Sequence, residues 1–157
     1  MKQSDLIQRE AIKYERFKDQ FTLIPAGELE QFRAEIRAAY IRVALLLDIQ
    51  FVEHDPYKDL EQMSGHITES GCMFVSKLNN ESQLLPKELN LMFRAVHDYF
   101  HYLLQQEFDF KGELNVYKAT KFLHKSDIGK RILYSEIVLQ AAYCTYFGEF
   151  GKQKVII

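Results

Sequence analysis

The chain has 157 residues, about the length of one globular domain, and its composition is 47% hydrophobic and 27% charged. These values exclude a disordered tail, a collagen-like rod and a small disulfide-stapled scaffold. The 20 Lys and Arg residues are balanced by 22 Asp and Glu residues, which leaves a net charge of -2. We therefore expect no nucleic-acid partner and no membrane-surface partner, because both favour a basic excess.

The predicted elements form a single domain over residues 1–157, because no linker or internal repeat divides the sequence. In chain order, we predict a charged helix over 4–19 and a second helix over 26–47. Two strands follow at 49–52 and 72–75, with a helical turn at 60–63 between them. Three further helices are predicted over 86–106, 113–124 and 128–147. The fold class is mostly α, a helical bundle with a small two-stranded β element. We expect the exposed N-terminal helix (1–19) to serve as a docking arm and 86–147 to hold the functional helices.

The two cysteines, Cys72 and Cys144, are too few for a disulfide framework, so we expect free thiols. The charged N-terminus does not resemble a secretory signal, and the longest near-apolar stretch, 132–147, is too short and too polar to span a bilayer. These features predict a cytoplasmic protein.

A histidine pair gives the first indication of chemistry. His97 and His101 are four residues apart in a predicted helix, so both side chains project from one face. With Asp98 between them, the spacing fits a His-acid-x-x-His pattern, in which zinc peptidases have Glu at the acid position. Such a pair predicts two ligands of a metal ion, although histidines at this spacing also occur on surfaces and as hydrogen-bonded core residues.

An acid in the apolar last helix suggests the third ligand. Glu136 lies in the middle of that helix, with Gln140 one turn later, and a buried carboxylate without a partner is costly. A nearby divalent cation (Zn, Fe or Mn) would remove that cost, so we predict His97, His101 and Glu136 as metal ligands. The alternative is an ion pair between Glu136 and Arg94 with only a structural role.

Four further residues are candidates for catalytic roles. Asp98 or Glu113 would accept a proton from a metal-bound water, and Arg94 and Gln140 would orient the substrate or the ligands. Glu113 could instead be an ordinary acid at a helix N-terminus, where its charge is favourable.

These residues resemble a family of small phage and bacterial proteins that has no established activity. Its signature is Arg-Ala-Val-His-Asp, then His, Gly-Glu, and Thr-Glu with Gln four residues later; the chain matches it at residues 94–98, 101, 112–113, 135–136 and 140. The chain departs from the signature twice, since the family has its second His at the position of Tyr102 and Thr at the position of Ser135. The resemblance strengthens the site rather than any one reaction, and a viral origin would place the protein in the host cytoplasm.

Two looser similarities are at the level of pattern only. Aromatic amino acid hydroxylases hold iron with two nearby histidines and a more distant Glu, and HD-type phosphohydrolases use a His-Asp pair in a helical fold. Fold analogy of this kind does not decide function.

We therefore expect a metal-dependent hydrolase acting on a small molecule, such as a phosphorylated or amide-bearing compound. Non-haem iron oxidation is one alternative, because iron with an open facial site favours oxygen chemistry. A non-catalytic phage-type structural or host-interaction protein is the other, in which the same polar residues would fix helix register. A homo-oligomer remains open.

Overall fold

The computed structural model describes residues 1–157 and is predominantly helical, with one small sheet. Its elements are α1 (Gln3–Arg16), α2 (Ala26–Ala44), β1 (Asp48–Val52), α3 (Leu60–Ser70), β2 (Cys72–Ser76), α4 (Lys87–Leu104), α5 (Phe110–Thr120), α6 (Asp127–Tyr134), a π-helical segment (Ser135–Leu139) and α7 (Gln140–Phe147), with 3-10 turns at Phe21–Leu23 and Lys121–Leu123. The predicted class, mostly α with a two-stranded element, is confirmed.

The chain forms two compact units. The first unit comprises Met1–Gln31 and Asp109–Ile157, and the second comprises Phe32–Phe108.

In the first unit, α1 packs along α7. The side chain of Tyr14 is buried on α1 with Leu139 and Ile156, and its ring meets that of Tyr143 edge-on at a centroid distance of 5.6 Å. The N-terminal helix therefore contributes to the core of this unit, whereas the sequence pattern predicted an exposed docking arm.

The second unit contains a strand–helix–strand motif. β1 and β2 are parallel, with Asp48 opposite Cys72 at one end and Val52 opposite Ser76 at the other. Parallel neighbours need a crossover connection, and α3 supplies it. The predicted helical turn at 60–63 is thus only the start of a longer helix, which Asp59 caps at its N-terminus.

The core of this motif lies between the sheet and α3. Met63 and Ile67 on α3 and Met73 and Val75 on β2 are buried together with Ala95 on α4. Burying a side chain such as Met or Val contributes about 1.5–3 kcal/mol, so this cluster fixes α4 against the sheet.

Local capping explains where α5 begins. The side chain of Asp109 accepts a hydrogen bond of 2.8 Å from the amide of Gly112, so the helix begins at Phe110. The predicted start was Glu113, which instead lies in the first turn, where its charge favours the helix dipole.

Candidate metal centre

Helix α4 carries the histidine pair. Pro86 stands immediately before its first residue and Gln105 ends it in a left-handed conformation. His97 and His101 are separated by one helical turn, as the sequence predicts, and His101 is completely buried.

The two imidazole rings converge. The Nε2 atoms of His97 and His101 lie 3.1 Å apart. Two nitrogens bound to one zinc ion at 2.0–2.1 Å, with an angle of about 90–110° between the bonds, lie about 2.9–3.4 Å apart. The observed separation therefore fits two ligands of one ion, and equally a direct hydrogen bond between the rings.

A backbone carbonyl fixes the tautomer of His101. Its Nδ1 atom lies 2.8 Å from the carbonyl oxygen of Gln106, which can only accept a hydrogen bond. Nδ1 therefore carries a proton, and in the neutral ring the lone pair is on Nε2, the atom that faces His97. Metal-binding histidines commonly have this arrangement, because the second ring nitrogen is held by a carbonyl or carboxylate.

Aromatic rings surround the pair. The ring of Phe108 packs on His101 at a centroid distance of 4.6 Å, and Phe93 stacks with His97 at 6.3 Å. Such contacts restrict the rotation of both imidazoles, which keeps the Nε2 atoms directed toward each other.

The donor atoms of the pair suit a metal ion. His97 and His101 offer two imidazole nitrogens from one helix, and zinc, iron and manganese commonly bind a carboxylate together with such a pair. The third ligand stays a prediction, and its two candidate carboxylates are Glu113 in the first turn of α5 and Glu136 in the π-helical segment.

Glu136 is stabilised in another way. Its carboxylate accepts hydrogen bonds from the side-chain amides of Gln153, at 3.1 and 3.2 Å, and Gln140, at 3.4 Å. Burial raises the pKa of the Glu136 carboxyl to about 7, although these two hydrogen bonds lower it. Hydrogen bonds from amides and protonation of the carboxyl thus reduce the free-energy cost of burying Glu136. The sequence analysis had assigned that role to a cation.

Three other residues were predicted to have catalytic roles, namely Arg94, Asp98 and Gln140. The guanidinium of Arg94 donates hydrogen bonds to the carbonyl oxygens of Ser76, Leu78 and Asn79, so it holds the end of β2 and the segment that follows it. Burial lowers the pKa of Arg94, and the charge of Asp98 partly offsets this. Asp98 is therefore close to Arg94, one turn earlier on α4. Gln140 is the partner of Glu136 described above.

Two functional features gave no signal in the sequence. Gln106 acts through its backbone carbonyl, which any residue carries. Gln153 lies in an irregular C-terminal segment without hydrophobic periodicity.

A third feature that sequence reasoning missed is a hydrogen-bonded pair in the second unit. The Tyr57 hydroxyl lies 2.6 Å from Nδ1 of His66 and accepts a hydrogen bond from the amide of Phe74. His66 lies on α3, of which the sequence pattern predicted only the turn at 60–63.

No family model matches the chain, and no curated protein or solved structure is significantly similar to it. The resemblance to the phage and bacterial family therefore stays a prediction. None of the helices combines the length and the apolar character that crossing a membrane requires.

Proposed function

We propose that the protein is a metal-dependent enzyme, a hydrolase of small molecules, in which His97 and His101 hold a divalent cation together with a carboxylate. Glu113 is the proposed carboxylate, because Gln140 and Gln153 already engage Glu136. The observation that carries the proposal is the 3.1 Å separation of the two Nε2 atoms, with Nδ1 of His101 held by the Gln106 carbonyl. This arrangement leaves the coordinating atom of His101 unprotonated and directed at its partner.

The donor set favours hydrolysis. Three protein ligands leave a coordination position open, and a zinc ion in such a site supplies an activated water, because it lowers the pKa of that water toward about 7. In this assignment Glu113 is a ligand, which leaves Asp98 as the predicted proton acceptor.

The same donor set also suits ferrous iron in oxygenases, so metal identity separates the two chemistries. Purified protein is offered Zn²⁺, Mn²⁺ and Fe²⁺ in turn, and bound metal is measured by elemental analysis. We expect one zinc ion per chain, together with chelator-sensitive cleavage of a p-nitrophenyl phosphate or p-nitrophenyl acetate probe. Selective iron binding with oxygen consumption would replace hydrolysis by oxidation.

The ligand assignment is tested with His97→Gln, because His97 is only partly buried and its variant retains a polar side chain of similar size. His54→Gln, at an exposed histidine outside the group, is the matched control. Loss of bound metal in the first variant and retention in the second supports the proposal. Wild-type protein that binds none of the three metals would leave the short Nε2 separation as a hydrogen bond and refute the proposal.

A further inference from the structure

A separate cavity opens in the first unit. It has a volume of about 290 Å³, and its walls include Lys13 from α1, Tyr117 from α5, Arg131 and Tyr134 from α6, and Ile156 from the C-terminal segment. This volume is close to the lower end of small-molecule sites, which are about 300–1,000 Å³.

The two charged side chains that line this cavity, those of Lys13 and Arg131, are both positive. Neither the ammonium of Lys13 nor the guanidinium of Arg131 makes a hydrogen bond or an ion pair within the protein. No Asp or Glu side chain lines the cavity. Ile157, the last residue of the sequence, also lines the cavity, and the lining residue Tyr134 interacts with the carboxylate of Glu10. The two cationic side chains have no ion-pair partner, so an anionic ligand at this cavity would neutralise them.

Aromatic and apolar surface lies beside these cations. The rings of Tyr117 and Tyr134 meet edge-on at a centroid distance of 5.0 Å, and Ile156 is buried. Burial raises the pKa of the Tyr117 hydroxyl, so it remains a hydrogen-bond donor at neutral pH, and it has no acceptor within the protein. A planar apolar group can pack on these rings while its charged end reaches the cations.

We propose that this cavity binds a small aromatic anion, a single ring that bears a carboxylate or phosphate, with the anionic group at Lys13 and Arg131 and the ring against Tyr117 and Tyr134. The inference uses residues of the first unit only and does not depend on the proposed metal-dependent activity. Carboxylate and phosphate share the required charge, so the experiment compares them directly.

The test is an NMR titration of the full chain in the presence of a chelator, which prevents any metal at the histidine pair from binding the probes. Benzoate and phenyl phosphate are the anionic ring probes, benzyl alcohol is the neutral ring, and inorganic phosphate is the anion without a ring. We expect saturable shifts at the cavity residues with at least one anionic ring. We also expect at least tenfold weaker binding of benzyl alcohol and inorganic phosphate.

Substitutions identify the binding groups. Arg131→Gln and Lys13→Gln are each expected to weaken binding about tenfold, whereas Lys130→Gln, at a neighbouring lysine that does not line the cavity, leaves it unchanged. Far-UV circular dichroism checks that each variant folds. The proposal is overturned if no probe saturates, if benzyl alcohol binds as well as the anions, or if Arg131→Gln binds like wild type. Binding of inorganic phosphate alone would indicate an adventitious ion only and would also overturn it.

Discussion

The carboxylate of Glu136 is held by the side-chain amide of Gln153, at distances of 3.1 and 3.2 Å. This contact joins the π-helical segment to the irregular C-terminal segment within the first unit. Because burial raises the pKa of Glu136 to about 7, the protonated and ionised forms are both populated near neutral pH. Burial of the Glu136 carboxyl therefore makes the stability of the fold depend on pH.

We expect the contribution of Glu136 to stability to fall as the pH rises from about 4.5 to about 7. In this range the folded state keeps a proton on Glu136 that the unfolded state has lost, so unfolding releases a proton and is favoured by higher pH. Below this range the contribution is fully present, and above it the full cost of the buried charge is felt. Between pH 5 and pH 8 the loss is about 2 kcal/mol.

Urea denaturation of wild type and Glu136→Gln at these two pH values measures the effect. The Gln variant does not titrate, so its stability relative to wild type increases by about 2 kcal/mol from pH 5 to pH 8. Glu149→Gln, at an exposed glutamate, controls for a change in net charge. A cation bound to Glu136 would reverse the sign, because the ionised form would then be favoured in the folded state.

The guanidinium of Arg94 is predicted to be a structural group. Arg94→Gln removes hydrogen bonds to three backbone carbonyls at the end of β2 and just after it, and bonds to a charged donor contribute about 1.5–3 kcal/mol each, though not additively. We expect a loss of about 2 kcal/mol or more in the free energy of unfolding, with metal affinity unchanged. Arg42→Gln, at an exposed arginine of α2, should change stability by less than about 0.5 kcal/mol. A stable Arg94→Gln variant with weakened metal binding would restore the orienting role that the sequence pattern suggested.

The histidine pair could be predicted from sequence because it is a local feature. His97 and His101 belong to one helix, and helical periodicity alone places their side chains on the same face. The third ligand could not be chosen in this way. Glu113 and Glu136 lie on other helices, and a sequence pattern does not determine which of two acids approaches a given histidine.

Burial alone did not identify the partner of Glu136. A cation can stabilise an acid in the apolar last helix, but amide donors and protonation also reduce the free-energy cost of burial. No sequence pattern predicted the contact of Gln153 with Glu136, because the C-terminal segment has no hydrophobic periodicity. In the same way, the short strand-like segments at 49–52 and 72–75 predicted β1 and β2 but not their parallel pairing, since parallel pairing depends on the full length of α3.

Ser135 is predicted to hold the C-terminal segment in place. Its buried hydroxyl donates a hydrogen bond to the carbonyl of Ile156 and accepts one from the amide of the same residue, both at 2.9 Å. Ser135→Ala leaves both backbone groups without this partner, and an unsatisfied buried polar group costs about 1–3 kcal/mol. We expect the free energy of unfolding, measured by thermal or urea denaturation, to fall by about 2–4 kcal/mol.

The N-cap serine of α6 provides the matched control for the Ser135→Ala variant. Ser126 accepts a single hydrogen bond of 2.9 Å from Gly129, so Ser126→Ala should cost only about 1 kcal/mol. Equal losses in the two variants would show that the Ser135 hydroxyl contributes no more than an ordinary helix cap.

Two carboxylates, Glu113 and Glu136, are the candidates for the third metal ligand. Glu113→Gln replaces a charged oxygen ligand with a neutral amide, so we expect zinc affinity to fall at least about tenfold, equivalent to 1.4 kcal/mol. Glu136→Gln should retain wild-type affinity, because Glu136 is engaged with Gln140 and Gln153. Asp98→Asn should also bind zinc normally but hydrolyse the p-nitrophenyl probe more slowly, because Asp98 is the predicted proton acceptor. Competition with a chromophoric chelator measures all three affinities under one condition. A loss of zinc in Glu136→Gln with retention in Glu113→Gln would reverse the assignment and reinstate the buried acid of the last helix as the third ligand.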